Sequence, residues 1–230
     1  MISIGNLGSV WVPLALSLKV AGWATLLNLL LGVSVAYGLT RWRSPARDLL
    51  DAILTLPLVL PPTVLGYYLL VLLGQHGVFG AWLAKWDIQL IFTWQGAVIA
   101  STIVAFPLVL KSARAAFDNV NPQLESAARV LGVSEFGVFF RVTLPLASKG
   151  IAAGVLLAFA RALGEFGATL MVAGNLPGRT QTLSVAIYEA VQAGDDHTAT
   201  LLVLITSVTC IIVLLAAGRL VPKSQRTRHP

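Results

Sequence analysis

Five stretches of this chain are long and apolar enough to cross a bilayer, which limits its fold more than any single motif does. A spanning helix needs about 20 mostly apolar residues to cross a hydrocarbon core of about 30 Å. Residues 20–39, 49–74, 90–110, 151–173 and 201–220 meet that requirement. Lipid offers no water to satisfy backbone N–H and C=O groups, so such segments must be helical. The reading is an all-α integral membrane protein, a five-transmembrane-helix bundle. Composition agrees: 11% of the 230 residues are charged, where a soluble domain carries about 25%. No linker or internal repeat divides the chain, so residues 1–230 read as one transmembrane domain. The first ten residues lack a basic region and no small-residue cleavage site ends the first apolar run. That run reads as a retained helix rather than a signal peptide.

The basic residues orient the bundle. With the N-terminus outside, the inner connections hold Arg41, Arg43, Arg47, Lys111, Arg114, Arg129, Arg141, Lys149, Arg219, Lys223, Arg226 and Arg228, and the outer ones only Lys85 and Arg179. Positive residues concentrate on the cytoplasmic side, so the expectation is N-terminus out, C-terminus in. A net charge of +6 suggests nucleic acid, but spanning segments interrupt the basic residues and no nucleic-acid partner is expected. Cys210 is the only cysteine, so disulfides and cysteine metal sites are excluded, and its apolar run suits a packed thiol. His76, His197 and His229 show no ligand spacing, and no metal or cofactor is expected. No Gly-rich phosphate cradle ending in Gly-Lys-Ser/Thr is present, so any ATP hydrolysis falls to a partner.

Several features within this frame carry function. Lys19 at the outer edge of the first span can snorkel to the interface. Pro61 and Pro62 break the second span, either as a packing kink or where the backbone lines a water-filled pathway. Arg161 lies ten residues into the fourth span and Glu165 four residues later, on the same helical face. Intramembrane charges face a bundle interior or a cavity, so the pair either holds the bundle in register or sits beside a gate. With Arg before Glu, the order within one helix opposes the helix dipole.

The connection 111–149 is too polar for lipid. Asn121 and Pro122 form a favourable helix start, and Gly132 suits a left-handed C-cap. Leu124, Ala127, Ala128 and Leu131 make one apolar stripe, with Glu125 and Arg129 on another face. Ser134 can cap a second short segment, and Leu144-Pro145 is expected to stop it before the fourth span. The stripe suits either a groove on a partner protein or the inner leaflet. The outer connection 174–197 reads as a solvated loop.

The run Glu125-Ser126-Ala127-Ala128, followed by Gly132 and Leu144-Pro145, resembles the EAA loop of ABC importer permeases. Ser126 occupies the position where that loop usually has glutamate, with Glu125 one place earlier. This leaves open which side chain meets the ATPase. The segment from Leu56 to Tyr67, containing Pro61-Pro62, resembles the molybdate branch. So does Pro177-Gly178-Arg179-Thr180-Gln181-Thr182 with Tyr188, whereas 159–169 is similar to molybdate and sulfate permeases alike. The resemblance implies a type I ABC importer permease (MetI-like) fold in a bacterial inner membrane, forming a homodimer with a second copy of itself. It further implies two cytoplasmic ABC ATPase subunits, a periplasmic molybdate-binding protein and alternating access. Sulfate or tungstate remain alternative cargoes. A secondary transporter or channel would show paired broken helices, and only one span has a proline break. An enzyme would need a nucleophile–base or metal constellation, which is not found.

Overall fold

Helices account for all regular structure among the residues that the computed structural model describes, 4–42 and 44–220. Arg43, Lys223, Arg226, Arg228 and His229 lie outside them. In order these helices are α1 (Ile4–Arg41), α2 (Ala46–Thr55) with a 3₁₀ turn at Leu56–Leu58, α3 (Pro62–Leu73), α4 (Val78–Ala84) and α5 (Trp94–Asp118). Next come α6 (Pro122–Val130), α7 (Glu135–Val138) with a π-turn at Phe139–Thr143, α8 (Leu144–Leu163), α9 (Gly167–Ala173), α10 (Leu183–Gln192) and α11 (Asp196–Leu220). Four stretches can cross a membrane as single helices: Val10–Arg41, Trp94–Asp118, Glu135–Leu163 and Asp196–Leu215.

The bundle is built around α5, whose buried face carries Ala97, Ala100, Ser101, Ala105 and Ala113. Small residues let helix backbones approach closely where lipid supplies no hydrophobic drive between them. Ala21, Ala24 and Ala36 of α1 and Ala147, Ala158 and Ala162 of α8 join the same core. Lys19 rests its ammonium 3.6 Å from the centre of the Trp94 ring at the start of α5, so it is stacked on an aromatic as well as exposed.

Two expectations are corrected, and the proline break expected in the second span is found: Ala46–Leu58 and Pro62–Leu73 meet at 108°. Pro61 and Pro62 lack N–H groups, so the chain cannot carry its hydrogen-bond ladder through them. The fourth span begins much earlier, at Glu135, and ends at Leu163, where Gly164, Glu165 and Phe166 separate α8 from α9. Arg161 therefore sits in the last turn of α8 rather than midway along a straight helix. Finally, Leu144-Pro145 does not stop the chain. The π-turn immediately before it widens the helix, which accommodates a ring that would otherwise clash with the carbonyl four residues back. The polar connection consequently contracts to residues 119–134, between α5 and α7.

Candidate functional site

Two places bring the sequence-predicted residues together. The first is the α6 segment. Asn121 accepts a hydrogen bond from the Gln123 N–H (2.9 Å), Pro122 fills the first position and Gly132 follows at φ +81°. Ser134 likewise caps α7 by accepting from the Gly137 N–H (3.3 Å). Leu124, Ala127 and Leu131 point outward, whereas Ala128 is buried, so only part of the stripe is free. Ser126 is exposed and donates to the Pro122 carbonyl (3.0 Å).

Glu125 turns the other way. Its Oε1 accepts from Arg41 Nη2 (2.5 Å) at the end of α1 and from Thr143 Oγ1 (2.7 Å) in the π-turn. Its Oε2 lies 3.7 Å from Arg129, which pairs more closely with Glu135 (2.6 Å). Burial pushes the Glu125 carboxyl up, but the hydrogen bonds and charges of Arg41, Thr143 and Arg129 more than offset this and hold it below its ordinary value. Arg41 also faces the Tyr37 ring at 5.1 Å, and Tyr37 packs on Phe117 and Phe139. Tyr37, Arg41, Phe117, Glu125 and Thr143 line a cavity of about 260 Å³. Sequence reasoning missed Arg41 and Thr143 as partners of Glu125, and Tyr37 as the brace of Arg41, since nothing local links positions 84 or 18 residues apart. It also missed Asp51, which receives Lys111 (2.5 Å) and Arg114 (2.7 Å) and ties α2 to α5.

The second place joins the two chain breaks. Pro62, Thr63, Arg161, Gly164, Glu165, Phe166 and Gly167 line one open cleft of about 280 Å³. Pro61 precedes it as the N-cap of α3. Arg161 Nη1 lies 2.6 Å from Glu165 Oε2, with Arg161 one-third exposed and Glu165 buried. Glu165 Oε1 accepts from the Ala168 N–H (2.9 Å). The break reverses the expected dipole penalty: Arg161 stands at a helix C-terminus and Glu165 at a helix N-terminus, each the favourable end for its charge. α3 and α9 cross tightly. A Cβ on Gly66 would meet Met171 Cβ at 2.7 Å and Ala168 Cα at 3.0 Å, and one on Gly167 would meet Pro62 Cβ at 3.1 Å.

Beyond α9, Gln181 bonds Asn175 (3.0 Å) and Glu189, and Asn175 also bonds Glu189 (2.8 Å). This orders part of the 174–197 connection and leaves Arg179 exposed. Among the described residues, no group of three or more His, Cys, Asp or Glu could hold a metal ion.

An apolar bundle with one short amphipathic helix tied beneath it is an arrangement that can be compared with known families. Residues 28–226 match the family described as binding-protein-dependent transport system inner membrane component. The chain belongs to this family. It is therefore a multi-pass inner-membrane permease component. The molybdenum transport system permease protein ModB of Escherichia coli K12 is 45% identical over 207 residues, 89% of this chain and 90% of that protein. A putative molybdenum permease of Bacillus subtilis 168 is 43% identical over 89% and 88%. The sulfate permease CysT of E. coli K12 is more distant, 36% identical over 86% and 71%. In fold, the permease is similar to a chain of a bacterial ABC transporter importing alginate (TM-score 0.75, 17% identical, 98% and 85% covered). It is equally similar to the inward-facing MetNI methionine transporter (0.74, 16%, 96% and 98%). The fold is that of MetI-like ABC importer permeases.

Proposed function

We propose that the permease moves molybdate into the cytoplasm as the membrane subunit of an ATP-driven importer. One observation carries the choice of cargo. The molybdenum permeases of E. coli K12 and B. subtilis 168 align along about nine-tenths of their own length at 45% and 43% identity, while the sulfate permease CysT of E. coli K12 aligns along 71% of its length at 36%. A second copy of the chain completes the pathway, two ATPase subunits bind below and an oxyanion-binding protein docks above. N-terminus out and C-terminus in is the orientation, supported by one basic end of the bundle that gathers Arg41, Arg47, Lys111, Arg114 and Arg129.

In this reading Leu124, Ser126, Ala127 and Leu131 form the face of α6 that enters the ATPase, followed by the Gly132 turn. Ala128 and Glu125 hold the helix to the bundle, and Leu144 and Pro145 carry movement into α8. The cleft of Pro61, Pro62, Arg161 and Glu165 forms part of the gate. A buried carboxylate repels an oxyanion, so the cleft suits transient passage rather than retention. Two broken helices side by side are also what a secondary transporter uses, and the same experiment separates the two readings. The permease is reconstituted in liposomes with its ATPase and binding protein, and radiolabelled molybdate uptake is followed. Uptake should require ATP and resist a hundredfold excess of sulfate. Flux from the permease alone would overturn the importer reading, and efficient sulfate uptake would overturn the cargo.

A further inference from the structure

We infer that Glu125 is a positioning residue that couples α6 mechanically to the bundle, rather than a contact to the ATPase; this rests on the importer reading. The geometry behind it is specific. α6 has only nine residues, too few to be stable alone, and its outward face is exposed among the described residues. Its inward attachment rests on buried Ala128 and the Glu125 carboxylate. That carboxylate is shared: one oxygen takes the Arg41 guanidinium from the end of α1 and the Thr143 hydroxyl from the π-turn that opens α8. A displacement of α6 therefore reaches two spanning helices through one group. Charge-assisted hydrogen bonds are short and directional, so the joint transmits a pull as well as a push, which apolar packing alone does poorly.

The far end of α8 makes this joint consequential. The helix runs from the π-turn to Arg161, whose partner Glu165 caps α9 in the gate cleft. Thr143 is held at the start of that lever and Arg161 at its end. Arg41 is in turn braced by Tyr37, which packs between Phe117 of α5 and Phe139 of the π-turn. The joint thus touches α1, α5, α6 and α8 within one cluster. Ser126, the residue aligned with the usual EAA glutamate, faces outward and makes no bond across to the bundle.

The discriminating quantity is the number of molybdate ions imported per ATP hydrolysed by the reconstituted complex. A structural defect removes working complexes and lowers both rates together, leaving the ratio unchanged. A broken joint lets the ATPase turn over without moving the gate. Glu125→Ala should keep the ATPase copurifying and hydrolysing, while the ratio falls at least tenfold. Glu125→Gln, which still accepts both hydrogen bonds but loses the charge, should fall about threefold. Thr143→Val should fall several-fold and serves as the deciding variant if Glu125→Ala does not accumulate. An unchanged ratio in Thr143→Val and Glu125→Gln, or in Glu125→Ala, overturns the assignment. So does loss of the ATPase from purified Glu125→Ala, which would make Glu125 a docking contact. Wild-type complex that fails to import molybdate at all defeats the importer reading instead, and so the two failures are told apart.

Discussion

Arg161 and Glu165 are unequal partners, and their inequality can be measured. Glu165 is buried, whereas Arg161 keeps one-third of its side chain exposed. Removing Arg161 leaves a buried carboxylate that, among the described residues, keeps only the Ala168 N–H to compensate it, and an unpaired buried charge is costly. Arg161 can recover hydration when Glu165 is removed, and a glutamine at 165 can still accept from Ala168. After discounting for the exposure of Arg161, Arg161→Gln should lose about 1–3 kcal/mol and Glu165→Gln about 1 kcal/mol or less. Thermal unfolding of the purified permease in detergent reads this difference, and equal losses would refute the asymmetry. The residues of this pair were legible in the sequence because charges in an apolar run stand out. Their geometry was not. Gly164 and Gly167 are apolar enough for the run to average as one span, so the break that places each charge at a favourable helix end leaves no trace in hydropathy.

At the scale of elements, local chemistry reads well and distant pairing does not. The start and end of α6 follow from Asn121, Pro122 and Gly132, because caps act over three or four residues. The inward turn of Glu125 depends on Arg41, from a helix far away in sequence. The π-turn at Phe139–Thr143 was likewise hidden, since Pro145 alone signals a stop rather than a widened helix. The crossing of α3 on α9 is another contact that sequence conceals, and glycines at two helical positions expose it. Gly66 faces Met171 and the Ala168 backbone, whereas Gly38 in α1 has nothing within 4 Å of an added Cβ. The same change should then act with opposite sign. Gly38→Ala should stabilise by about 0.5–1 kcal/mol through reduced backbone freedom. Gly66→Ala should destabilise by about 1–3 kcal/mol through overpacking and slow transport by prising α3 from α9. Unfolding midpoints of the two variants, compared with wild type, test this directly; stabilisation by both would mean that the helices are not in close contact.

For the whole molecule, the basic residues and the position of α6 combine into one claim about sidedness. Arg179 lies exposed beyond α9, and Leu131 is exposed beside the Gly132 turn. In the proposed orientation these two sites are on opposite sides of the membrane, and the second is covered when the ATPase is bound. The single native cysteine, half-buried against the core, can be replaced without disturbing either place. In a Cys210→Ser background, Arg179→Cys should react with a membrane-impermeant maleimide in intact spheroplasts. Leu131→Cys should react only in inverted membrane vesicles, and co-expression of the ATPase should slow that reaction at least fivefold. The reverse labelling pattern would invert the orientation. Labelling of Leu131→Cys that ignores the ATPase would instead leave the apolar face of α6 to the inner leaflet, the other surface that an amphipathic helix of this composition can bury. Sidedness and docking are thus decided by separate outcomes of one experiment, because the proposal for the first rests on charge distribution and that for the second on the exposed face of a nine-residue helix.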